Sequence, residues 1–512
     1  MTAPPAAPLR TALPLRFGDR ASFGALRSLL QSAGYDEAAV CERTGAGSIY
    51  DFTSLAEGRE RSEVADARDV LIRLFLDGEV VEAALAERHL GADGVRLLHA
   101  FGLIAERDGA PAACFGTVLL YPTRGLWVVS DLPSVAAGAT KPLPSDAVYP
   151  AITDNTRDYL AAIPESSCER FLEMCGGTGI AALVAARHAG RAWTADITER
   201  ATRFAEFNAL LNDIQNFTAV QGDLYEPVRG LTFDRIAAHP PYVASAERTM
   251  IYRDGGPDGE QFTRALLAGL PEFLAPGGRF YMTCIATDRT NAPLEDRVRE
   301  MIGPAHAAFD VAIAVRVAHD PANYYLSLAR NGKASFAEAE RRIGQYAEMQ
   351  AERLVYASMV VERHASARLP VTARRSAGLA PLGEMLDWQL AWERLRESPQ
   401  FTERLLAARV RCAERLRIRS SQRLEGASWL VDRCDAVTEW PFRASIECSG
   451  ETAVILMRCD GSLTVGDLAR ALVSDGLLSA DGADEAMASL IGFFVGAGCL
   501  ESDLLPFVGR DA

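Results

Sequence analysis

The chain has 512 residues, 49% hydrophobic and 24% charged, the balance of a folded globular protein and not of a disordered or fibrous one. That length exceeds one ordinary core, so about two to four domains are expected. A formal net charge of −15 argues against broad binding to nucleic-acid phosphates, and no run of about 18 apolar residues is present to span a membrane.

The first 20 residues are rich in proline, lack an apolar signal core and read as a flexible lead. Ala21–Gln31 and Asp66–Leu76 have helical periodicity, the second ending at Asp77-Gly78. Val80–Arg88 and Gly94–Phe101 read as two further helices. Leu103–Glu106 and Ala112–Leu120 read as a hairpin around Asp108-Gly109. Helices followed by a hairpin predict a winged-helix-like domain over 21–133. Its acidic composition favours docking or dimerisation over DNA binding, so a homodimer is left open. Leu126–Ser130 is a candidate strand. The Ala/Pro/Ser-rich stretch Ser134–Pro150 is placed as a boundary.

The region Phe171–Tyr242 carries the chemistry. The segment FLEMCGGTGIAAL is an apolar run, a glycine turn and an alanine-rich helix, with Glu173, Cys175, Gly177 and Gly179 at alternating positions. Such a turn brings backbone N–H groups close to a ligand. A second run ends at Asp196-Ile197, where a carboxylate can accept both hydroxyls of a ribose. A third ends at Asp223-Leu224, beside where an adenine would lie. A fourth ends in His239-Pro240-Pro241-Tyr242. Four polar groups at successive strand ends face one edge of a sheet, which is where open α/β sheets bind ligands. Arg191–Ile197, Phe217–Gln221, Asp234–Ala238 and Arg279–Ile285 are the strands after the first. Glu199–Asn212 and Gly259–Leu274 are the helices between them. Val311–Val317 and Tyr324–Leu328 are read as closing antiparallel strands, about seven strands in all.

This series resembles the class I S-adenosylmethionine-dependent methyltransferases. The Pro-Pro-Tyr tetrad resembles that of members that methylate nitrogen. YRDGGPDGEQFTRALLAGLPEFLAPGGRFYM, from Tyr252 to Met282, looks like the glutamine N5-methyltransferases that modify peptide-release factors. The resemblance covers Tyr149–Arg330, about a third of the chain. It implies a seven-stranded Rossmann-like α/β domain over 146–332 with S-adenosyl-L-methionine as cofactor. The cofactor would be held by Glu173, Cys175, Gly177, Gly179, Asp196, Ile197, Asp223, Leu224 and His239. It implies catalytic roles for His239, Pro240 and Tyr242, and substrate contacts for Tyr242, Pro241 and Asn155. Thr153 and Asn155 are read equally as contacts to the methionine carboxylate and as helix caps. The departure is His239, where the family usually has Asn. A neutral imidazole accepts a hydrogen bond as Asn does, but it can also take a proton near pH 7 and serve a hydroxyl nucleophile.

After Arg330, Phe336–Met349 reads as a helix, Arg353–Val361 as a strand, and Glu384–Arg396 and Phe401–Leu416 as helices, forming an extension over 333–430. Arg409, Arg411, Arg415, Arg417, Arg419 and Arg423 are read as a solvated helix face partnered by Glu403 and Glu414, with docking of an acidic peptide or a phosphate as the alternative. Over 431–512, Thr464 and Asp467 form a capping box for Val465–Leu472, and Asp484–Val495 is another helix. VLIRLFLDGEVVEAAL and AVILMRCDGSLTVGDLARAL suggest one kind of helical module at both ends, winged-helix-like or peptide-recognising at the C-terminus. Ten cysteines without a C-x-x-C pair give no metal signature and lead us to expect reduced thiols in a cytoplasmic protein.

The leading expectation is methyl transfer to a nitrogen of a peptide, protein or small metabolite. O-methylation of a small natural product with His239 as base comes next. Methylation of a nucleic-acid base follows, since Pro-Pro-Tyr can stack on a flipped base. A regulator that uses the cofactor domain only as a sensor is the alternative of a different class.

Overall fold

The computed structural model describes residues 13–52, 63–107, 112–131, 144–245, 249–378 and 383–506. The chain divides into two compact units, one of Met1–Leu160 with Glu165–Phe280, the other of Ala161–Pro164 with Tyr281–Ala512. Most of the expected Ser134–Pro150 boundary and the turn at Asp108-Gly109 lie outside the described residues.

In the first unit, the strands Cys168–Met174, Ala189–Asp196, Phe217–Gln221 and Phe233–Ala238 are all parallel. Their order is Phe217, Ala189, Cys168, Phe233, each strand named by its first residue. The helices Ile180–Ala185 and Glu199–Leu211 make the crossovers. All six residues of the first helix are buried, as its run of alanine and β-branched residues requires. Parallel strands covered by helices on their faces put the loops after each strand on one edge, and the strand order reverses beside Cys168–Met174.

Residues before this sheet form a helical group with a three-stranded sheet in the order Val80–Glu82, Ala113–Gly116, Ile104–Arg107. Val80–Glu82, read from sequence as helix, is a strand. Helix follows from Ala83 to Ala100 with a non-helical Gly91 inside it, which joins the two helices expected there. A second hairpin pairs Val118–Thr123 with Leu126–Asp131. Asn208 ties it to the parallel sheet's helix, accepting from Val129 N at 2.7 Å and donating to Val129 O at 3.1 Å. Arg200 makes a buried ion pair with Asp131, whose carboxylate also accepts from Val148 N at 2.8 Å. Polar groups this deep are retained because each is fully bonded.

The second unit has the strands Ala351–Arg363, Phe309–His319, Thr372–Ala377, Phe442–Glu447, Ser428–Thr438 and Arg417–Glu425 side by side in that order. Tyr324–Leu328, read as a strand, lies in the helix Pro321–Arg330. Asp320 caps that helix by accepting from Asn323 N at 2.8 Å, and Pro321 starts it. The antiparallel partner of Phe309–His319 is Ala351–Arg363. The helix expected over Phe401–Leu416 stops at Ala407, and Arg409–Cys412 is a strand. The arginines therefore lie on strands or beside them. Arg411 pairs with Glu501 at 2.9 Å, and Arg423 with Glu425 at 2.9 Å and Asp432 at 3.4 Å, in place of Glu403 and Glu414. The run Arg417–Glu425 is exposed throughout.

The capping box is present, with Asp467 N donating to Thr464 Oγ1 at 3.1 Å. Helix Gly450–Met457, strand Asp460–Thr464 and helix Val465–Ser474 repeat the helix–strand–helix order of Ala67–Phe75, Val80–Glu82 and Ala83–Ala100. Each strand belongs to a three-stranded sheet.

Candidate functional site

A cavity of about 370 Å³ opens where the four parallel strands end. At the first strand end, Glu173 is only 2% exposed. Its carboxylate accepts from Ala181 N at 3.1 Å, Ala182 N at 3.0 Å and Thr194 Oγ1 at 3.3 Å. It thus caps the helix Ile180–Ala185, whose own cap residue, Gly179, has no side chain to do so. Burial pushes the Glu173 carboxyl up to about 7, against the pull of these donors.

Cys175 and Gly177, at φ of 56° and 55°, carry the turn round, and both line the cavity. Gly176 has no room for a larger residue, since a Cβ there would lie 1.9 Å from Thr194 Oγ1. Gly179 does not line the cavity. A Cβ on it would stand 3.0 Å from Ala205 Cβ, so it serves the close approach of the turn to the helix Glu199–Leu211.

Gly177 N donates to Asp196 Oδ2 at 3.0 Å, so the first and second strand ends are joined. Asp196 Oδ1 accepts from Thr198 N at 3.0 Å and Thr198 Oγ1 at 3.1 Å. Burial raises the Asp196 carboxyl above its ordinary range. Ile197 lines the cavity beside it, and Asp223 and Leu224 line it from the third strand end.

At the fourth strand end, His239, Pro240, Pro241 and Tyr242 all face the cavity. The His239 ring stacks on Tyr159 with centroids 5.2 Å apart and tilts against Tyr242 at 5.7 Å. The residue as a whole keeps some surface, but its Nε2 is enclosed and has no hydrogen-bond partner. Burial lowers the imidazole to about 4, so the ring is neutral at pH 7. Asn155 Nδ2 donates to Tyr242 Oη at 2.9 Å, bringing together two residues expected to touch substrate. Thr153 lines the cavity and is bonded within its own turn, accepting from Thr156 N at 3.4 Å.

The Pro-Pro-Tyr segment is held by the loop after Tyr252. Val243 N donates to Arg253 O at 2.9 Å, Gly255 N to Val243 O at 2.8 Å and Ser245 N to Gly256 O at 2.8 Å. Gly255 is pressed against this segment, for a Cβ there would lie 2.7 Å from Pro241 O and 2.6 Å from Gly259 O. Buried Asp254 fixes the loop by accepting from Thr249 N at 2.7 Å and Met250 N at 2.9 Å.

Three lining tyrosines were not picked out from sequence. Tyr149 and Tyr252 stack at 5.0 Å. Tyr159 is 2% exposed, and its hydroxyl has no partner. A signal for Tyr159 existed: it stands four residues after Asn155, on the same helical face. Among the described residues no group of three or more His, Cys, Asp or Glu is arranged to hold a metal ion.

Residues 151–302 match the family model described as the methyltransferase small domain. The chain is 36% identical over 126 residues to a release factor glutamine methyltransferase of Moorella thermoacetica, covering 22% of this chain and 44% of that protein. It is 27% identical over 249 residues to a release factor glutamine methyltransferase of Xylella fastidiosa, covering 44% and 82%. It is 32% identical over 127 residues to a ribosomal protein uL3 glutamine methyltransferase of Bradyrhizobium diazoefficiens, covering 22% and 40%. The chain thus spans less than half the length of the Moorella and Bradyrhizobium relatives.

Proposed function

We propose that this protein transfers a methyl group from S-adenosyl-L-methionine to a nitrogen of a peptide or protein, with a glutamine carboxamide as the acceptor. The observation that carries the reading is the convergence of four strand ends on one cavity: the Glu173 glycine turn, Asp196, Asp223 and His239-Pro-Pro-Tyr242. The match of 151–302 to a methyltransferase domain and the relatives that act on glutamine support it.

The residues fit the cofactor. On this reading Asp196 accepts from the ribose, Asp223 and Leu224 flank the adenine, and Cys175 and Gly177 bring backbone against the amino-acid end; what supports it is that all five line one cavity. When bound, the cofactor supplies a methyl group on a sulfonium, open to in-line attack. The chain's task is to hold and aim the nitrogen. Enclosed His239 Nε2, neutral and unbonded, can accept an N–H of the acceptor, aided by the carbonyls of a backbone that two prolines stiffen. Tyr242, steadied by Asn155, forms a wall of the site. A hydroxyl acceptor would call for a base, and an imidazole lowered to about 4 is a weak one.

The Rossmann-like domain over 146–332, with six strands among its described residues and not the expected seven, since Tyr324–Leu328 is helical, the winged-helix-like domain over 21–133, the extension over 333–430 and the C-terminal module over 431–512 belong to the same proposal. Three-stranded sheets flanked by helices support the end modules. The test is an assay of purified protein with S-adenosylmethionine and a capped glutamine peptide, read by mass spectrometry. Glutamine should gain one methyl group and the matching glutamate peptide none. Methylated glutamate would sink the nitrogen reading.

A further inference from the structure

The cavity holds a buried hydroxyl to which nothing so far has given a role. The helix Asp154–Ala161 sends three polar side chains towards the site: Asn155 from its first turn, Thr156 and Tyr159. Asn155 is engaged with Tyr242 Oη at 2.9 Å, and the Thr156 and Thr153 hydroxyls meet each other at 3.1 Å. Thr153 and Asn155, the two residues the sequence offered for the cofactor's carboxylate, therefore already have partners inside the protein. Tyr159 differs. It is 2% exposed, lines the cavity, and has a hydroxyl without a partner. A buried hydroxyl left unbonded is costly, and one on a cavity wall is satisfied by what the cavity binds.

Its neighbours say which end of the ligand that is. Asp196, Asp223 and Leu224 occupy the nucleoside end of the cavity, while Tyr159 lies against the first glycine turn and the fourth strand end. Its ring stacks on His239, and it lines the cavity together with Glu173 and Cys175. Burial holds the phenol well above its ordinary range, so it stays protonated and can donate.

We propose that Tyr159 Oη binds the α-amino-acid end of S-adenosylmethionine, so that one side chain both anchors the cofactor and, through its stacked ring, sets the orientation of His239. This rests on the cofactor reading above.

Two ligands separate the ends. S-adenosylhomocysteine has both nucleoside and amino acid, while 5′-methylthioadenosine keeps the nucleoside and lacks the amino acid. Calorimetry on the full chain compares wild type with Tyr159→Phe, which keeps the stacked ring and deletes only the hydroxyl. Affinity for S-adenosylhomocysteine should fall about 10–100-fold, the usual effect of losing a hydrogen bond to a charged group. Affinity for 5′-methylthioadenosine should change less than about threefold, which also shows that the variant is folded. Equal losses for both ligands, or no loss for either, would overturn the proposal. Wild type binding neither would overturn the cofactor reading itself, and this assignment with it.

Discussion

At position 239 an imidazole stands where the resemblance leads one to expect an amide, and its surroundings decide what that exchange can mean. With Nε2 enclosed and the ring lowered to about 4, His239 is neutral across the working pH range, and on the proposed reading it serves as a hydrogen-bond acceptor. Methyl transfer should therefore vary little between about pH 5.5 and 8.5, and His239→Asn should retain activity within about tenfold. A rate that climbs through pH 6–7 and a loss beyond about a hundredfold in the variant would show a base at work instead. Stability gives an independent check. The unfolded chain takes up the imidazole proton near 6.5 and the folded chain only near 4. Between these values the unfolded state holds more protons, so His239 costs stability as pH falls through the window. The difference in unfolding free energy between wild type and His239→Asn should shift towards wild type as pH rises from about 4 to 6.5, then level off. A constant difference would mean that the ring is solvated. The residue type was legible in the sequence, since His239 stands out against Pro-Pro-Tyr. Its neutral state was not, because that comes from burial, to which Tyr159 from a distant part of the chain contributes by stacking on the ring.

Among elements, those read correctly were those whose signals are local. The glycine turn, the strand Phe217–Gln221 and the helix Glu199–Leu211 are set by period and turn chemistry within a few residues. Tyr324–Leu328, expected as a closing antiparallel strand, is helical because the local signal Asp320-Pro321 caps and starts a helix there. The arginine run was misread although Arg409, Arg411, Arg415, Arg417, Arg419 and Arg423 are all odd-numbered, a period of two that suits strands. Two elements carry predictions of their own. Glu173→Ala leaves Ala181 N and Ala182 N without acceptors in a buried helix start, and should cost about 1–3 kcal/mol in urea unfolding. The wild-type glutamate itself weakens the fold as pH rises from about 4.5 to 7, because the buried carboxyl resists ionising. The variant should therefore lose less, relative to wild type, at pH 8 than at pH 4.5. A penalty independent of pH would contradict the raised carboxyl. Gly255→Ala forces a Cβ against Pro241 O and Gly259 O, backbone atoms that cannot yield cheaply. It should cost about 1–3 kcal/mol of stability, as overpacking does. It should also lower methyl transfer more than S-adenosylhomocysteine affinity, because it moves the acceptor wall. Unchanged turnover in a folded variant would remove the loop from the acceptor site.

The chain divides into two compact units. The lining of the cavity, from Asp146 to Phe262, belongs wholly to the first. The second is organised round its own cluster, which includes Trp388, Trp392, Leu405, Ile455, Leu468, Ile491 and Phe494, with Trp388 and Trp392 stacked at 5.6 Å. It also keeps a buried ionic group in which Asp310 takes Arg394 at 2.7 Å, Arg368 at 2.6 Å and His364 at 2.9 Å. A ligand that binds the folded state stabilises what it touches by mass action, about 2.7 kcal/mol at a hundred times its dissociation constant. Local opening reports that gain wherever it is coupled to the site. Hydrogen exchange with saturating S-adenosylhomocysteine should therefore slow in the glycine turn, in the loops after Asp196 and Gln221, and in His239–Gly259. Exchange in Phe401–Leu505 should stay within error of the free protein. Protection confined to the second unit would place the ligand somewhere other than the cavity. Protection of equal size throughout would mean that the chain opens as one cooperative body and that the division into two units has no energetic counterpart.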